Sequence, residues 1–238
     1  MLPQPQIVGR PARYSLPGAA RRYLAHAVTS HAPSTHAVEL ALHGEIKHRG
    51  RWLPFQASEW LDPASGFEWR GIVRWGPMRI QSCDRLLGGR SETRWSAFQH
   101  VSLVSDQGPH LARHHAGRAA LEALWVPTWL ASPAVTWTEN PDGTVRARWR
   151  VGREGVAIDL VLDPGGRPRS ARMLRWGNPD GQGWRPVPFG ARFDAERTVA
   201  GVRVPARMTA GWWFGDERFE REGICLRVTL DDLKPVTG

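Results

Sequence analysis

At 238 residues, 41% of them apolar, the chain has material for a substantial core. That excludes global disorder and leaves one large all-β or α+β domain or two small ones. The formal net charge of +9 is almost all arginine, spread from Arg10 to Arg227 without a run, since Lys47 and Lys234 are the only lysines; charge identifies a partner only where it clusters, so nucleic acid is not the expected one.

The opening "MLPQPQIVGRPARYSLP" is Pro-rich and predicts an extended arm over residues 1–16. It lacks the apolar h-region of an export signal, and no apolar run in the chain approaches membrane-span length. The expectation is a cytoplasmic protein with no transmembrane segment. "GAARRYLAHAV" (18–28) then predicts a short amphipathic helix, with Ala20, Tyr23, Leu24 and Ala27 at helical spacing.

From Thr35 the period changes to two. "HAVELALHG", "RWLPFQASEWL", "GFEWRGIVRWG", "PMRIQSCDRLLGG" and "SETRWSAFQHVSLVSD" read as successive strands, and "DPASG" is a hairpin signal. Phe67, Trp69, Gly71, Val73 and Trp75 fall on one face of the third. Pro54 marks an edge or a bulge, because it cannot donate to a central ladder.

One helix interrupts the series, from about Pro109 to Trp125. Pro109 suits a first helical turn and Pro127 forbids continuation. Gly117 inside it costs up to ~1 kcal/mol relative to Ala, for which close backbone packing is one reason. Strands then resume, punctuated by "NPDG", "GREG", "DPGGRP" and "GNPDGQG". In "VRARWRV", Arg146, Arg148 and Arg150 alternate with Val145, Ala147, Trp149 and Val151, as a half-buried antiparallel strand requires. Roughly eleven or twelve strands with no repeat and no linker predict one mainly β domain over 17–238. A sheet of that size curls, and its concave face must be covered. The 109–125 helix is the candidate cover.

"LPGAARRYLAHAV", "HGEIKHRGRWLPFQASEW", "GFEWRG", "CDRLLGG" and "RAALEALWVPTWL", in that order and spacing, resemble a bacterial domain family of unknown function, from about Pro17 to the last strand. The resemblance implies the fold of the carriers LolA and LolB and the enzyme VioE. That fold is an open, strongly curved antiparallel half-barrel of about eleven strands wrapped around a central helix. Its relatives include apolar-cargo carriers and a cofactor-free enzyme, so the fold does not choose a function.

Glu122 is the leading candidate for acid/base chemistry: pointed into a Trp-walled hollow, it would be desolvated. The competing reading is an i,i+4 ion pair with Arg118. His100, in "AFQHVSL", is a proton carrier if its strand face is concave. Asp84 either orients a ligand or stabilises a turn. Thirteen Trp against two Tyr favour an aromatic-lined cavity, with Trp69, Trp95, Trp125 and Trp213 as candidate walls. The alternative for these, and for Trp149 and Trp176, is core packing.

His110 and His114 stand at metal-sharing spacing but lack a third ligand; a polar first turn facing solvent is the expectation, with His115 pointing elsewhere. Cys83 and Cys225 give no metal spacing or disulfide framework, and one bridge between them stays open if they meet in space. No phosphate loop or nucleophile elbow is present, and neither metal nor cofactor is expected. Three functions follow in order: binding of an apolar or aromatic small molecule; a cofactor-independent isomerase, cyclase or lyase using Glu122 and Arg118; and an anionic-surface binder with salt-sensitive affinity. Oligomeric state is open.

Overall fold

The computed structural model describes residues 16–97 and 101–236. The extended arm expected over 1–16 lies outside that range except for Leu16, and His100 lies outside it altogether. After α1 (Gly18–Ala27) come β1 (Ala37–His48), β2 (Arg51–Asp62), β3 (Gly66–Trp75), β4 (Met78–Leu87), β5 (Arg90–Ala97) and β6 (Val101–Gln107). The helix α2 (Pro109–Glu122) separates these from β7 (Thr136–Glu139), β8 (Val145–Val151), β9 (Glu154–Leu162), β10 (Pro168–Gly177), β11 (Arg185–Val199), β12 (Val202–Trp212) and β13 (Ile224–Val236).

The thirteen strands of the described residues form one antiparallel sheet in the order 6-5-4-3-2-1-13-12-11-10-9-8-7. Each half is a meander of hairpins, and the first and last strands pair to join the halves. Tight turns set the meander. At Arg49-Gly50 and Ala200-Gly201 both central residues have positive φ, the backbone of a two-residue turn whose twist matches that of its strands.

This order explains the helix. β6 and β7 are consecutive strands yet lie at opposite edges of the sheet, so the chain between them must cross a face. It crosses the concave one, with α2 touching β2 to β6 on one side and β8 to β10 on the other. The α-helix ends at Glu122, three residues before the expected limit, and a tighter turn, Ala123–Trp125, completes it. Pro127 opens a further helical turn, Pro127–Leu130, where its missing N–H costs nothing.

Pro54 lies in an interior strand without a bulge: it pairs with Glu45 of β1, but pairing with β3 begins only at Phe55. The strand is locally an edge there, so no ladder donor is lost. "SETRWSAFQHVSLVSD" is two strands, β5 and β6, folded back on each other. The sheet also splits. β9 and β10 pair only between Asp159–Leu162 and Pro168–Arg172, and beyond Arg172 the two strands diverge.

Candidate functional site

Between α2 and the concave face lies a partly enclosed cavity of about 240 Å³. Four larger depressions are more open; of the two largest, about 930 and 730 Å³, the first lies on the outer face of β1 to β5 and the second over the split beside β10. The inner cavity is where chemistry converges. Phe55, Trp69, Trp95, Trp125, Met208 and Val228 are among its apolar walls. From α2 it receives His114, His115, Arg118, Leu121 and Glu122, whose spacing of three and four residues puts them on one helical face.

Arg118 is the hub. Its Nε donates to Glu122 Oε1 at 2.8 Å, Nη1 to Asp84 Oδ2 at 3.0 Å and Nη2 to Glu59 Oε2 at 3.3 Å. Each guanidinium nitrogen thus takes a different carboxyl, while the plane lies 4.4 Å from the Phe67 ring centre. Burial works against its charge, yet the three carboxyls, Glu122 foremost, hold its pKa above the ordinary arginine value.

Glu59 is fully buried. Burial first, then the charge of Glu122, push its pKa well above the usual carboxylate range despite Arg118. It therefore holds a proton and hydrogen-bonds the Glu122 carboxyl. Glu59 Oε1 and Glu122 Oε2 are both buried with no hydrogen-bond partner among the described residues, which a proton on Glu59 would supply.

Asp84 accepts from Thr93 Oγ1 at 2.9 Å as well as from Arg118. His115 is buried, with Nδ1 2.6 Å from Ser91 Oγ and Nε2 3.3 Å from Thr93 Oγ1. Burial, outweighing nearby Asp84, lowers its pKa to about 4, so the imidazole is neutral. His114 donates from Nδ1 to the Trp176 carbonyl at 2.9 Å and accepts at Nε2 from Arg175 Nη2 at 3.0 Å, which fixes its neutral tautomer. Burial and the Arg175 charge both drive its pKa down. This corrects the expectation of a solvent-facing first turn. Only His110 faces out, stacked against Trp176 and Trp184, while His114 turns inward and His115 is inside. Among the described residues no three His, Cys, Asp or Glu side chains come together as a metal site.

The predicted Arg118–Glu122 pair is present, enlarged by Glu59 and Asp84 into a four-member network. Trp69, Trp95 and Trp125 line the cavity, and Trp125 is anchored by Nε1 donating to the Pro205 carbonyl at 2.8 Å. Trp213 does not line it: its ring lies under the Arg218 guanidinium, 3.9 Å away, in the turn after β12. Side chains alternate along a strand, so Met208, Ala210 and Trp212 share the inner face and Trp212, beside Phe189, takes the inward place. Trp149 is core, with Nε1 bonded to the Pro63 carbonyl. Cys83 and Cys225 are both free thiols. Cys225 lines the cavity, its pKa pushed up to about 11 by burial.

Sequence reasoning missed Glu59 and Arg175. A signal existed for each: Leu53, Phe55, Glu59 and Leu61 have one parity on β2, and Ala171, Met173 and Arg175 have one on β10. A charged residue in register with a buried apolar row is a candidate for the interior.

The sequence matches the model of a family of unknown function, DUF6544, over residues 6–221. No curated protein matches it. Similar solved structures include a LolA superfamily protein from Nitrosomonas europaea, with 9% identity, 92% of this chain and 93% of that chain covered, and a TM-score of 0.46. Another is a DUF1329 family protein from Desulfovibrio piger, with 7% identity, 92% of each chain covered and a TM-score of 0.44.

Proposed function

This chain belongs to the DUF6544 family, and we propose that it binds an apolar or aromatic small molecule in the cavity between α2 and the concave sheet. The observation that supports this most directly is the composition of the walls: aromatic and aliphatic side chains on most sides, with polar groups converging from α2 and from Lys47, Asp84 and Arg175 of the sheet. Ligand sites have that character, since apolar surface supplies affinity and sparse polar groups fix orientation. At about 240 Å³ the cavity is just below the ~300–1,000 Å³ of drug-sized sites, so the ligand is small. Native mass spectrometry of protein purified from its own host is the test. A retained adduct of discrete mass, lost on denaturation, is expected; ligand-free protein that also fails to take up any apolar probe would refute the reading.

A second reading is cofactor-independent acid/base catalysis, favoured by the Glu59–Glu122 pair. Glu122 faces the cavity, while Glu59 is fully buried behind it, where burial favours its protonated form. Two carboxyls in different environments are the arrangement acid/base chemistry uses. Glu122 would exchange a proton with the substrate and Glu59 would replenish or receive it. The prediction is that a host metabolite consumed by the unmodified protein persists with Glu122→Gln, while probe binding is retained. Turnover surviving that change would remove Glu122 from the chemistry.

A further inference from the structure

Arg175 is the most unusual charge in the molecule. It is only 7% exposed and lines the inner cavity. Its Nε donates to the His114 carbonyl at 3.2 Å and Nη2 to His114 Nε2 at 3.0 Å. Phe189 and Trp212 lie under its plane, at 4.6 and 5.4 Å to the ring centres. Among the described residues no carboxylate lies within ion-pair distance of it, and Nη1 has no hydrogen-bond partner.

A guanidinium taken out of water needs a counter-charge, because ring faces and neutral acceptors recover only part of the lost hydration. Its neighbours do not provide one. Cys225 keeps its proton, with a thiol pKa of about 11, and His114 is neutral. The three acids nearby are already spent on Arg118. The cavity walls carry Lys47, Arg118 and Arg175 against Asp84 and Glu122, one positive charge in excess. The helix was also shaped around this side chain. A Cβ on Gly117 would come within 2.8 Å of Arg175 Cγ, so the glycine is what lets Arg175 pass the helix and reach the cavity.

We propose that the ligand is an amphipathic monoanion, a small apolar or aromatic carboxylic acid whose carboxylate is received by Arg175 and whose body fills the aromatic hollow. This rests on the binding reading above and adds the head group to it. Nη1 and the second N–H of Nη2 form the end of the guanidinium fork, and a planar carboxylate meets such a fork with two parallel hydrogen bonds.

Matched probes test it in the unmodified protein by calorimetry and quenching of tryptophan emission: decanoate against decanol, and naphthoate against naphthylmethanol. In the pair that binds, the acid is expected to bind about tenfold or more tighter than the alcohol, the scale of one charge-assisted contact. Arg175→Gln should abolish that preference by weakening the acid and leaving the alcohol within about twofold, and Arg175→Lys should restore part of it. An alcohol that binds the unmodified protein as tightly as its acid overturns the anion assignment and leaves the apolar cavity standing. If neither member of either pair binds, both readings fall. The unmodified protein decides the matter even where a variant fails to fold.

Discussion

Glu59 and Arg118 show how a buried network is held by its stoichiometry of charge. Removing the guanidinium would leave the fully buried Glu59 and the half-buried Asp84 and Glu122 facing one another, and breaking a buried pair costs roughly 3–5 kcal/mol. Burial raises the pKa of Glu59 well above the usual carboxylate range and favours its protonated form. A glutamine there reproduces both the shape and the donor. Above the ordinary carboxyl pKa the folded protein holds a proton on Glu59 that the unfolded chain has released, so this residue's contribution to stability falls as pH rises. Glu59→Gln has no such loss. Relative to the parent it is expected to gain stability as pH rises above the ordinary carboxyl pKa, by up to about 1 kcal/mol per pH unit. His115, whose folded pKa is lowered to about 4, acts in the opposite sense: its contribution is lost as pH falls from the ordinary histidine range. It is present in both proteins and cancels from the difference. Urea denaturation of the pair at several pH values checks this, and a pH-independent difference would show Glu59 to be ionised in the fold.

At the scale of elements, α2 and β10 are one unit built around Gly117 and Arg175. Alanine is the better helix former by up to ~1 kcal/mol, so propensity alone makes Gly117→Ala stabilising. The 2.8 Å approach to Arg175 Cγ reverses the sign. Overpacking of that kind costs about 1–3 kcal/mol, and a net loss of stability is expected in denaturant titrations, together with a weakened acid-over-alcohol preference as Arg175 is displaced. The helix itself, the strand alternation and the open curved sheet were legible in the sequence because periodicity and Pro/Gly punctuation carry them. The strand count was not. "WSAFQHVS" contains no Gly, Pro or Asn, so the sequence does not mark where β5 ends and β6 begins, and two strands read as one. The candidate site was half legible. Arg118, Glu122 and Trp125 lie on one predicted helix, where spacing alone puts them together. Asp84 was named without its partners, and Glu59 and Arg175 enter from strands whose inward parity needs a three-dimensional reference. Trp213 was misplaced for another reason: β12 ends at Trp212, so Trp213 leaves the sheet in the following turn and its neighbour is the indole that stays inside.

The whole molecule depends on a seam between residues nearly 190 positions apart, such as Leu42 and Leu230. Each half-sheet folds from local hairpins, but the cavity does not exist until β1 meets β13. Its walls include Leu42 and Ile46 from one side of that seam and Leu226 and Val228 from the other. Gly44 is at the centre, paired with Val228, and a Cβ there would strike the Arg227 carbonyl and come within 3.0 Å of the Val228 Cα. Those are backbone atoms, so they cannot turn aside as a side chain would. Gly44→Val is therefore expected to cost at least about 1–3 kcal/mol, and to weaken apolar probe binding in parallel because the two walls are forced apart. Gly155, in β9 and with open space where its Cβ would be, is the control: Gly155→Val should cost far less and leave probe affinity unchanged. Equal losses at the two positions in denaturation and probe titration would show that the seam does not define the cavity. A loss confined to Gly44→Val would show that ligand binding is a property of the joined sheet, which neither half can possess alone.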